Sequence, residues 1–303
     1  MLGATTSPAS RRAAWRDALA TDRLLAFPGA FNPLSALLIE ELGFDGVYVS
    51  GAVISADLGL PDIGLTTLTE VASRAHAIAQ VTNLPALVDA DTGFGEPMNV
   101  ARTVQHLEDL GLAGCHIEDQ VNPKRCGHLD GKSVVGVEEM CRRVASAVGA
   151  RRDSNFVICA RTDARALEGL VGAIERAKAY VDAGADLIFA EALESEQEFE
   201  RFKAEVPAPL LANMTEFGKS PLLDRRTLEA LGVNVVIYPV TLLRLAMGAA
   251  ESGLRQLRDE GTQAGLVQGM QTRARLYELL DYAGYAAFDT AIFDFKPEQR
   301  KWS

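Results

Sequence analysis

Eight short apolar runs, each followed by a polar or glycine-containing turn and then a stretch of helical periodicity, constrain the fold of this chain more than any other feature. They fall at residues 24–27, 46–50, 86–91, 114–118, 157–162, 187–191, 210–214 and 235–239. Each is rich in aliphatic and β-branched residues and short enough to be a parallel strand buried on both faces. Amphipathic stretches at 66–81, 97–110, 137–148, 170–183 and 227–231 lie among them. Gly43, Gly111, Gly184 and Gly232 follow helical stretches, the position where a glycine stops a helix. This alternation predicts an α/β fold, a (β/α)8 barrel of TIM type. A doubly wound open sheet is disfavoured, because the first run leads into Pro28-Gly29-Ala30-Phe31-Asn32-Pro33 and not into a glycine-rich phosphate loop.

More than sixty residues follow the eighth run, and 241–260 and 262–282 read as helices. The second exceeds what a barrel needs. It either packs on a partner subunit or folds back on its own barrel. The organisation expected is a single domain over 1–303, with 1–12 a flexible N-terminal arm and about 262–303 a C-terminal helical extension.

The chain has 303 residues, 48% of them hydrophobic, enough for a large core. Its formal charge of −11 opposes phosphate binding, so no nucleic-acid partner is expected. No stretch approaches the roughly 20 apolar residues that span a bilayer, so no membrane role is expected. Arg11, Arg12 and Arg16 interrupt the N-terminal segment, which lacks the apolar core of a signal peptide. Cys115, Cys126, Cys141 and Cys159 have no CxxC spacing. A reducing cytoplasm is the simplest reading.

In such a barrel the C-terminal strand ends face the active site. The polar residues there form a set: Tyr48 and Ser50-Gly51, Asp89 and Asp91, Glu118, Arg161, Glu191, Asn213 and Thr215, with Arg244 following the eighth run. Asp89 and Asp91 alternate and so point the same way. With Glu118 they offer hard oxygen ligands that suit Mg2+, which takes one or two carboxylates and keeps several waters. No histidine cluster near them calls for zinc. The alternative is that these acids cap helices or pair with Lys124, Arg125 or Arg161. Arg161, Arg244 and Arg273 could each hold a carboxylate in bidentate fashion, and Asp163 or Glu191 could instead pair with Arg161 structurally. A dication with several cationic anchors implies a small di- or tricarboxylate substrate.

Lys124-Arg125-Cys126-Gly127-His128 places a thiol between cations, beside a glycine and an imidazole. Nearby positive charge lowers a thiol's pKa and makes it a nucleophile or an acid–base group. With a metal to steady an enolate, proton transfer is the more economical role for Cys126. His128, two residues from the thiol, is the histidine expected to participate. His76 and His106 read as packing residues, and His116 could stand near the site.

Together with Val88-Asp89-Ala90-Asp91-Thr92-Gly93-Phe94-Gly95, this thiol loop resembles the isocitrate lyase and phosphoenolpyruvate mutase superfamily over nearly the whole chain. The thiol loop separates its lyases from mutases and hydrolases that lack the cysteine. Isocitrate lyases typically carry Lys-Lys-Cys-Gly-His and a longer chain. A compact chain with Lys-Arg-Cys-Gly-His looks like the 2-methylisocitrate lyase family. The resemblance implies Mg2+ (with Mn2+ as a possible substitute) at Asp89 and Asp91, and Glu118 reaching the ion through water. It implies substrate contacts at Ser50, Gly51, Ala52, Cys126, Gly127, Arg161, Glu191, Asn213, Met214, Thr215, Arg244 and Arg273. Position 52 departs from the pattern: alanine stands where the family usually has glycine, and its backbone N–H can still donate.

Phe189, Ile237 and Pro239 would form an apolar wall for the substrate methyl group. The implied reaction is retro-aldol cleavage of 2-methylisocitrate to pyruvate and succinate, a step of propionate breakdown by the methylcitrate route. Cys126 would be the proton donor and Tyr48 a candidate hydroxyl base. The implied assembly is a homotetramer that exchanges C-terminal helices. The competing readings are isocitrate cleavage, a decarboxylase or hydrolase of an oxaloacetate-like acid, and a non-catalytic barrel.

Overall fold

A computed structural model describes residues 3–125, 127 and 131–295. Eight strands, β1 (Leu25–Pro28), β2 (Val47–Val49), β3 (Ala86–Asp89), β4 (Gly114–Glu118), β5 (Val157–Thr162), β6 (Leu187–Ala190), β7 (Leu210–Asn213) and β8 (Val235–Tyr238), lie parallel in one sheet. Their order runs β1-β8-β7-β6-β5-β4-β3-β2. A Gly29–Tyr48 bridge, with Ala30 N–H donating to Tyr48 O at 2.9 Å, joins β1 to β2 and closes the barrel. Seven of the eight apolar runs contain one strand each, and the first, 24–27, overlaps β1.

Among the described residues, twelve α-helices accompany the strands: α1 (Pro8–Leu19), α2 (Pro33–Glu41), α3 (Gly51–Asp57), α4 (Leu68–Ala79), α5 (Pro97–Asp109), α6 (Val137–Ala150), α7 (Arg165–Asp182), α8 (Glu196–Glu205), α9 (Arg225–Ala230), α10 (Thr241–Glu260), α11 (Arg273–Leu279) and α12 (Tyr282–Phe293). Local chemistry sets their starts. Asn32 and Thr67 close capping boxes on α2 and α4, and Ser195 and Asp224 cap α8 and α9.

The core has two layers, because side chains alternate along a strand. Ala26, Val88, Ile158, Ile188, Ala212 and Val236 face outward to the helices. Leu25, Phe27, Leu87, Val157, Cys159, Leu187, Leu211, Val235 and Ile237 fill the barrel. Trp15 of α1 joins this inner layer, its ring 5.3 Å from that of Phe27.

Two sequence expectations differ from this architecture. Within the stretch expected to be a flexible arm, Pro8 opens α1, and buried Arg11 and Arg12 tie it down. Arg11 Nη1 donates to Ala79 O and Thr82 O at 2.6 and 2.7 Å, and Arg12 Nε donates to Leu112 O at 2.8 Å. The arginines that read as interrupting an arm are caps for carbonyls at the barrel's base. The second difference is the helix expected over 262–282. It is a 3-10 turn over Ala264–Gly269 followed by α11 and α12, separated where Gly269-Met270 and the left-handed Asp281 break the periodicity. None of α10, α11 or α12 has a buried residue. The expectation of one additional helix therefore understates the feature, since the helix after β8 also leaves the barrel.

Candidate active site

The alternation that fills the barrel continues past its apolar layers. Counting upward in twos, Leu87 leads to Asp89 on β3, His116 to Glu118 on β4, Cys159 to Arg161 on β5, Phe189 to Glu191 after β6, Leu211 to Asn213 on β7, and Ile237 to Pro239 after β8. The register pairs Asp89 with His116, Glu118 with Arg161, and Arg161 with Phe189. One pocket at the strand C-terminal ends is lined by Tyr48, Ser50, Ala52, Asp62, Asp89, Lys124, Gly127, Arg161, Phe189, Glu191, Asn213, Thr215, Pro239 and Val240.

Arg161 organises the floor. Its Nε lies 2.9 Å from Asp163 Oδ2 and 3.4 Å from Glu118 Oε2, and its Nη2 lies 3.1 Å from Glu191 Oε2. The Phe189 ring lies 5.0 Å below the guanidinium. Burial alone would lower the Arg161 pKa, but Asp163, Glu118 and Glu191 hold it above its usual value. The structural pairing anticipated with Asp163 and Glu191 is present, and Arg161 also faces the pocket.

The acids expected to hold a metal are all buried here. Asp89 Oδ2 accepts from Gly51 N–H at 3.1 Å and Oδ1 from Asp91 N–H at 3.0 Å. A Cβ on Gly51 would stand 2.7 Å from Asp89 Oδ2 and 3.5 Å from Asp91 Oδ1, so the two carboxylates converge where only glycine fits. Lys124 Nζ forms ion pairs with Asp91 Oδ1 at 2.8 Å and with Asp62. Asp91 thus has the pairing with Lys124 that the sequence offers as the alternative to a metal role. Among the described residues, neither Glu118 oxygen has a hydrogen-bond partner.

Burial would raise the Asp89 carboxyl, but His116, Lys124 and Arg161 bring it down to about 2. His116 is itself pushed down to about 4 by burial, so Lys124 and Arg161 carry that effect at neutral pH. Burial and the Asp89 charge push Asp91 up to about 6. Burial drives Glu118 well above the usual carboxylate range.

Among the described residues no group of three or more His, Cys, Asp or Glu side chains is arranged to hold an ion by itself. A hard dication that keeps its waters needs only one or two direct carboxylates. The converging Asp89 and Asp91 oxygens and the unpartnered Glu118 oxygens fit that requirement.

The remaining expected residues divide. Ser50, Ala52, Gly127, Asn213 and Thr215 line the pocket with Phe189 and Pro239. Gly51 is buried beside Asp89. Met214 is the exception on β7's extension: it faces the outer layer, where its sulfur accepts from Leu223 N–H at 3.3 Å. Ile237 sits within the apolar fill one layer below Pro239. Arg244 lies near the rim, pairing with Glu216 Oε2 at 2.6 Å and reaching Thr215 Oγ1 at 3.4 Å. Arg273 is exposed at the start of α11, which packs against α2 through an Arg275–Glu41 ion pair, and the fold does not bring it to this pocket. Cys126 and His128 lie outside the described residues.

Tyr48 OH is 2.9 Å from His116 Nε2, and burial followed by the Asp89 charge pushes its pKa well up, the direction opposite to that of a hydroxyl base. Two site residues escaped the strand-end reasoning. Asp62 comes from the loop after α3, where Pro61-Asp62 reads as an ordinary turn. Lys132 lies between Gly131 and Ser133, a setting typical of solvated loops, yet it is buried. The other thiols are poor candidates: burial pushes Cys115 up to about 12 and Cys159 well above its usual value.

With this geometry in place, comparisons with known proteins are informative. The model of the phosphoenolpyruvate phosphomutase family matches residues 16–258. A Corynebacterium glutamicum protein named probable 2-methylisocitrate lyase 2 is 62% identical over 301 residues, covering 99% of this chain and 98% of the relative. The structure of an oxaloacetate acetylhydrolase with 3,3-difluorooxalacetate superimposes with a TM-score of 0.89 at 36% identity, covering 96% of this chain and 100% of that one. A phosphonopyruvate hydrolase solved with oxalate and Mg2+ gives 0.84 at 30% identity, covering 94% and 99%.

Proposed function

We infer the reaction of this chain from two premises: it belongs to the phosphoenolpyruvate phosphomutase family, and its pocket joins a carboxylate cluster to a buried arginine beside the thiol loop. The chain is a carbon–carbon lyase that cleaves 2-methylisocitrate to pyruvate and succinate. The observation that carries this reading is the seat of Gly127. A Cβ there would stand 2.3 Å from Arg161 Nη2 and 2.6 Å from Glu191 Oε2, so the residue next to Cys126 lies directly on the anion-binding floor. The 62% identity to the Corynebacterium glutamicum protein supports the substrate.

Asp89 and Asp91 would hold Mg2+, or Mn2+ in its place, with Glu118 acting through water. When bound, the ion supplies charge stabilisation at the substrate's carboxylate and hydroxyl oxygens. Arg161 binds a substrate carboxylate in the pocket. Glu191 and Asn213, with Nδ2 of Asn213 3.4 Å from each Glu191 oxygen, hold that end in register with Thr215. Ser50 and Ala52 also line the pocket, with Gly51 behind them against Asp89. Tyr48 is a hydrogen-bond partner of the substrate hydroxyl. The hydroxyl proton passes to a base as the carbon–carbon bond breaks, the hydroxyl carbon becomes the pyruvate carbonyl, the succinate fragment carries the electron pair, and Cys126, with His128 assigned to assist it, returns a proton to its carbon. Phe189 and Pro239 bound the space for the methyl group, and Ile237 supports them from below.

No helix among the described residues is long and apolar enough to cross a membrane. We place the enzyme in the cytoplasm, acting on a small carboxylate. The unburied α10, α11 and α12 are read as arms exchanged within a homotetramer, and Arg273 as a residue offered to a neighbouring subunit.

The test is cleavage of 2-methylisocitrate and isocitrate by the purified chain, with and without Mg2+, assayed for pyruvate and glyoxylate. Pyruvate should form preferentially. The methyl group is worth roughly 10–200-fold in kcat/KM. Equal rates, or glyoxylate as the preferred product, would overturn the assignment. The similarity to oxaloacetate acetylhydrolase gives a second reading, for which oxaloacetate hydrolysis is the assay. Cys126→Ser should bind substrate yet lose cleavage. Near-normal turnover would remove the thiol from the mechanism.

A further inference from the structure

Gly127 is held against Arg161 and Glu191 by a lysine that the reaction does not itself use. Lys132 Nζ donates to Gly127 O and lies 2.8 Å from Asp163 Oδ1. The Lys132 side chain is 2% exposed and that of Asp163 is 0% exposed. An ammonium that deep is unfavourable unless it is paired and hydrogen-bonded, and both conditions are met here. Asp163 is fixed in turn. Its oxygens accept from Arg161 Nε at 2.9 Å and Nη2 at 3.2 Å, and its N–H donates to Asp119 Oδ1 at 2.9 Å.

The backbone around Lys132 is anchored as well. Val121 N–H donates to Ser133 O and Val135 N–H to Asp119 O, both at 2.8 Å, which ties this segment to the end of β4. On the other side of position 126, the Gln120 amide holds Arg125 twice. Arg125 N–H donates to Gln120 Oε1, and Gln120 Nε2 donates to Arg125 O, both at 2.8 Å.

We propose that Lys132 is a positioning residue: anchored by Asp163, its ammonium holds the Gly127 carbonyl and so sets the pocket wall that Gly127 forms against Arg161 and Glu191. Gln120 does the same for Arg125 from the opposite flank. The inference rests on the lyase reading for its catalytic consequence, because a misplaced wall would leave substrate affinity largely intact while misaligning the groups beside it.

The test compares Lys132→Met with wild type as full-length chains. In Lys132→Met, kcat for 2-methylisocitrate should fall on the order of 10–100-fold with KM changed by less than about threefold, the pattern of lost support for a reacting group. Tryptic nicking after Arg125, whose backbone the wall carries, should speed up about tenfold while the thermal midpoint changes little. Unchanged kcat and nicking, or changes that track only a loss of global stability, would overturn the proposal. Gln120→Leu removes the second clamp without touching a buried charge. It should reproduce the kcat loss and faster nicking if Lys132→Met folds poorly, and wild-type behaviour of Gln120→Leu would count against the proposal. A wild-type chain that fails to cleave 2-methylisocitrate would sink the lyase reading, whereas the nicking comparison judges the clamp independently.

Discussion

Glu118 Oε2 lies 3.4 Å from Arg161 Nε, yet neither Glu118 oxygen has a hydrogen-bond partner among the described residues. A fully buried carboxyl held by a 3.4 Å ion pair but no hydrogen bond is unfavourable in either protonation state. Its place beside the converging Asp89 and Asp91 oxygens explains the arrangement if it is reserved for water on a bound ion.

Glu118→Gln therefore separates a metal role from a structural one. The substitution keeps shape and removes the charge. The Mg2+ concentration for half-maximal activity should rise on the order of 10–100-fold, as for loss of an outer ligand. The thermal midpoint measured without metal should stay within a few degrees, because Arg161 keeps its ion pairs with Asp163 and Glu191. An unchanged Mg2+ requirement would remove Glu118 from the metal site. EDTA should abolish cleavage by the wild type, and added Mg2+ should restore it.

His116 gives a pH prediction. It is faced by Tyr48 from β2, Asp89 from β3, Arg161 from β5, Lys124 from the loop after β4 and Glu191 after β6, with the Phe189 ring edge-on at 5.3 Å. Burial pushes its pKa down to about 4 from 6.5. Between those values the unfolded chain binds a proton that the folded chain refuses. Stability therefore rises with pH across that window and is flat, for this group, above it. His116→Gln should flatten the rise by up to about one proton, about 1.4 kcal/mol per pH unit. Urea unfolding between about pH 5 and pH 7 at fixed protein concentration checks this. Parallel slopes for variant and wild type would mean that His116 carries its proton in the folded state.

The fold was legible because its signal is local. A run such as Val157-Ile158-Cys159-Ala160-Arg161-Thr162, short and followed by a helical stretch, reads as a strand buried on both faces, and alternation then sends Cys159 and Arg161 to the same side. That logic places Asp89, Glu118, Arg161, Glu191 and Asn213 at or just past the strand C-terminal ends, as the structure has them. It also shows why Met214 differs: one step from Asn213 turns the side chain outward, a fact that a motif carried over as a block does not register. Asp62 and Lys132 were illegible for another reason. Each comes from a loop and reaches the site through partners distant in sequence, Lys124 for Asp62 and Asp163 for Lys132. Arg11 and Arg12 read as solvated charges because the carbonyls they cap belong to segments some 70 to 100 residues away.

The C-terminal helices give the last prediction. Helix α10 extends over 20 residues without a buried one and exposes Leu245, Met247 and Leu254, each at least 60% accessible. Helix α12 exposes Tyr282, Phe288, Ile292 and Phe293. Apolar surface of this extent on a closed barrel calls for a protein neighbour. In the proposed assembly a second copy of the chain would supply one with matching surfaces through closed symmetry. Light scattering of the full-length chain at micromolar concentration should give four times the mass of one chain. Ending the chain after Asp281 deletes α12 and should reduce both that mass and, on dilution, the specific activity. A full-length chain that stays monomeric and fully active would refute the exchanged-helix assembly.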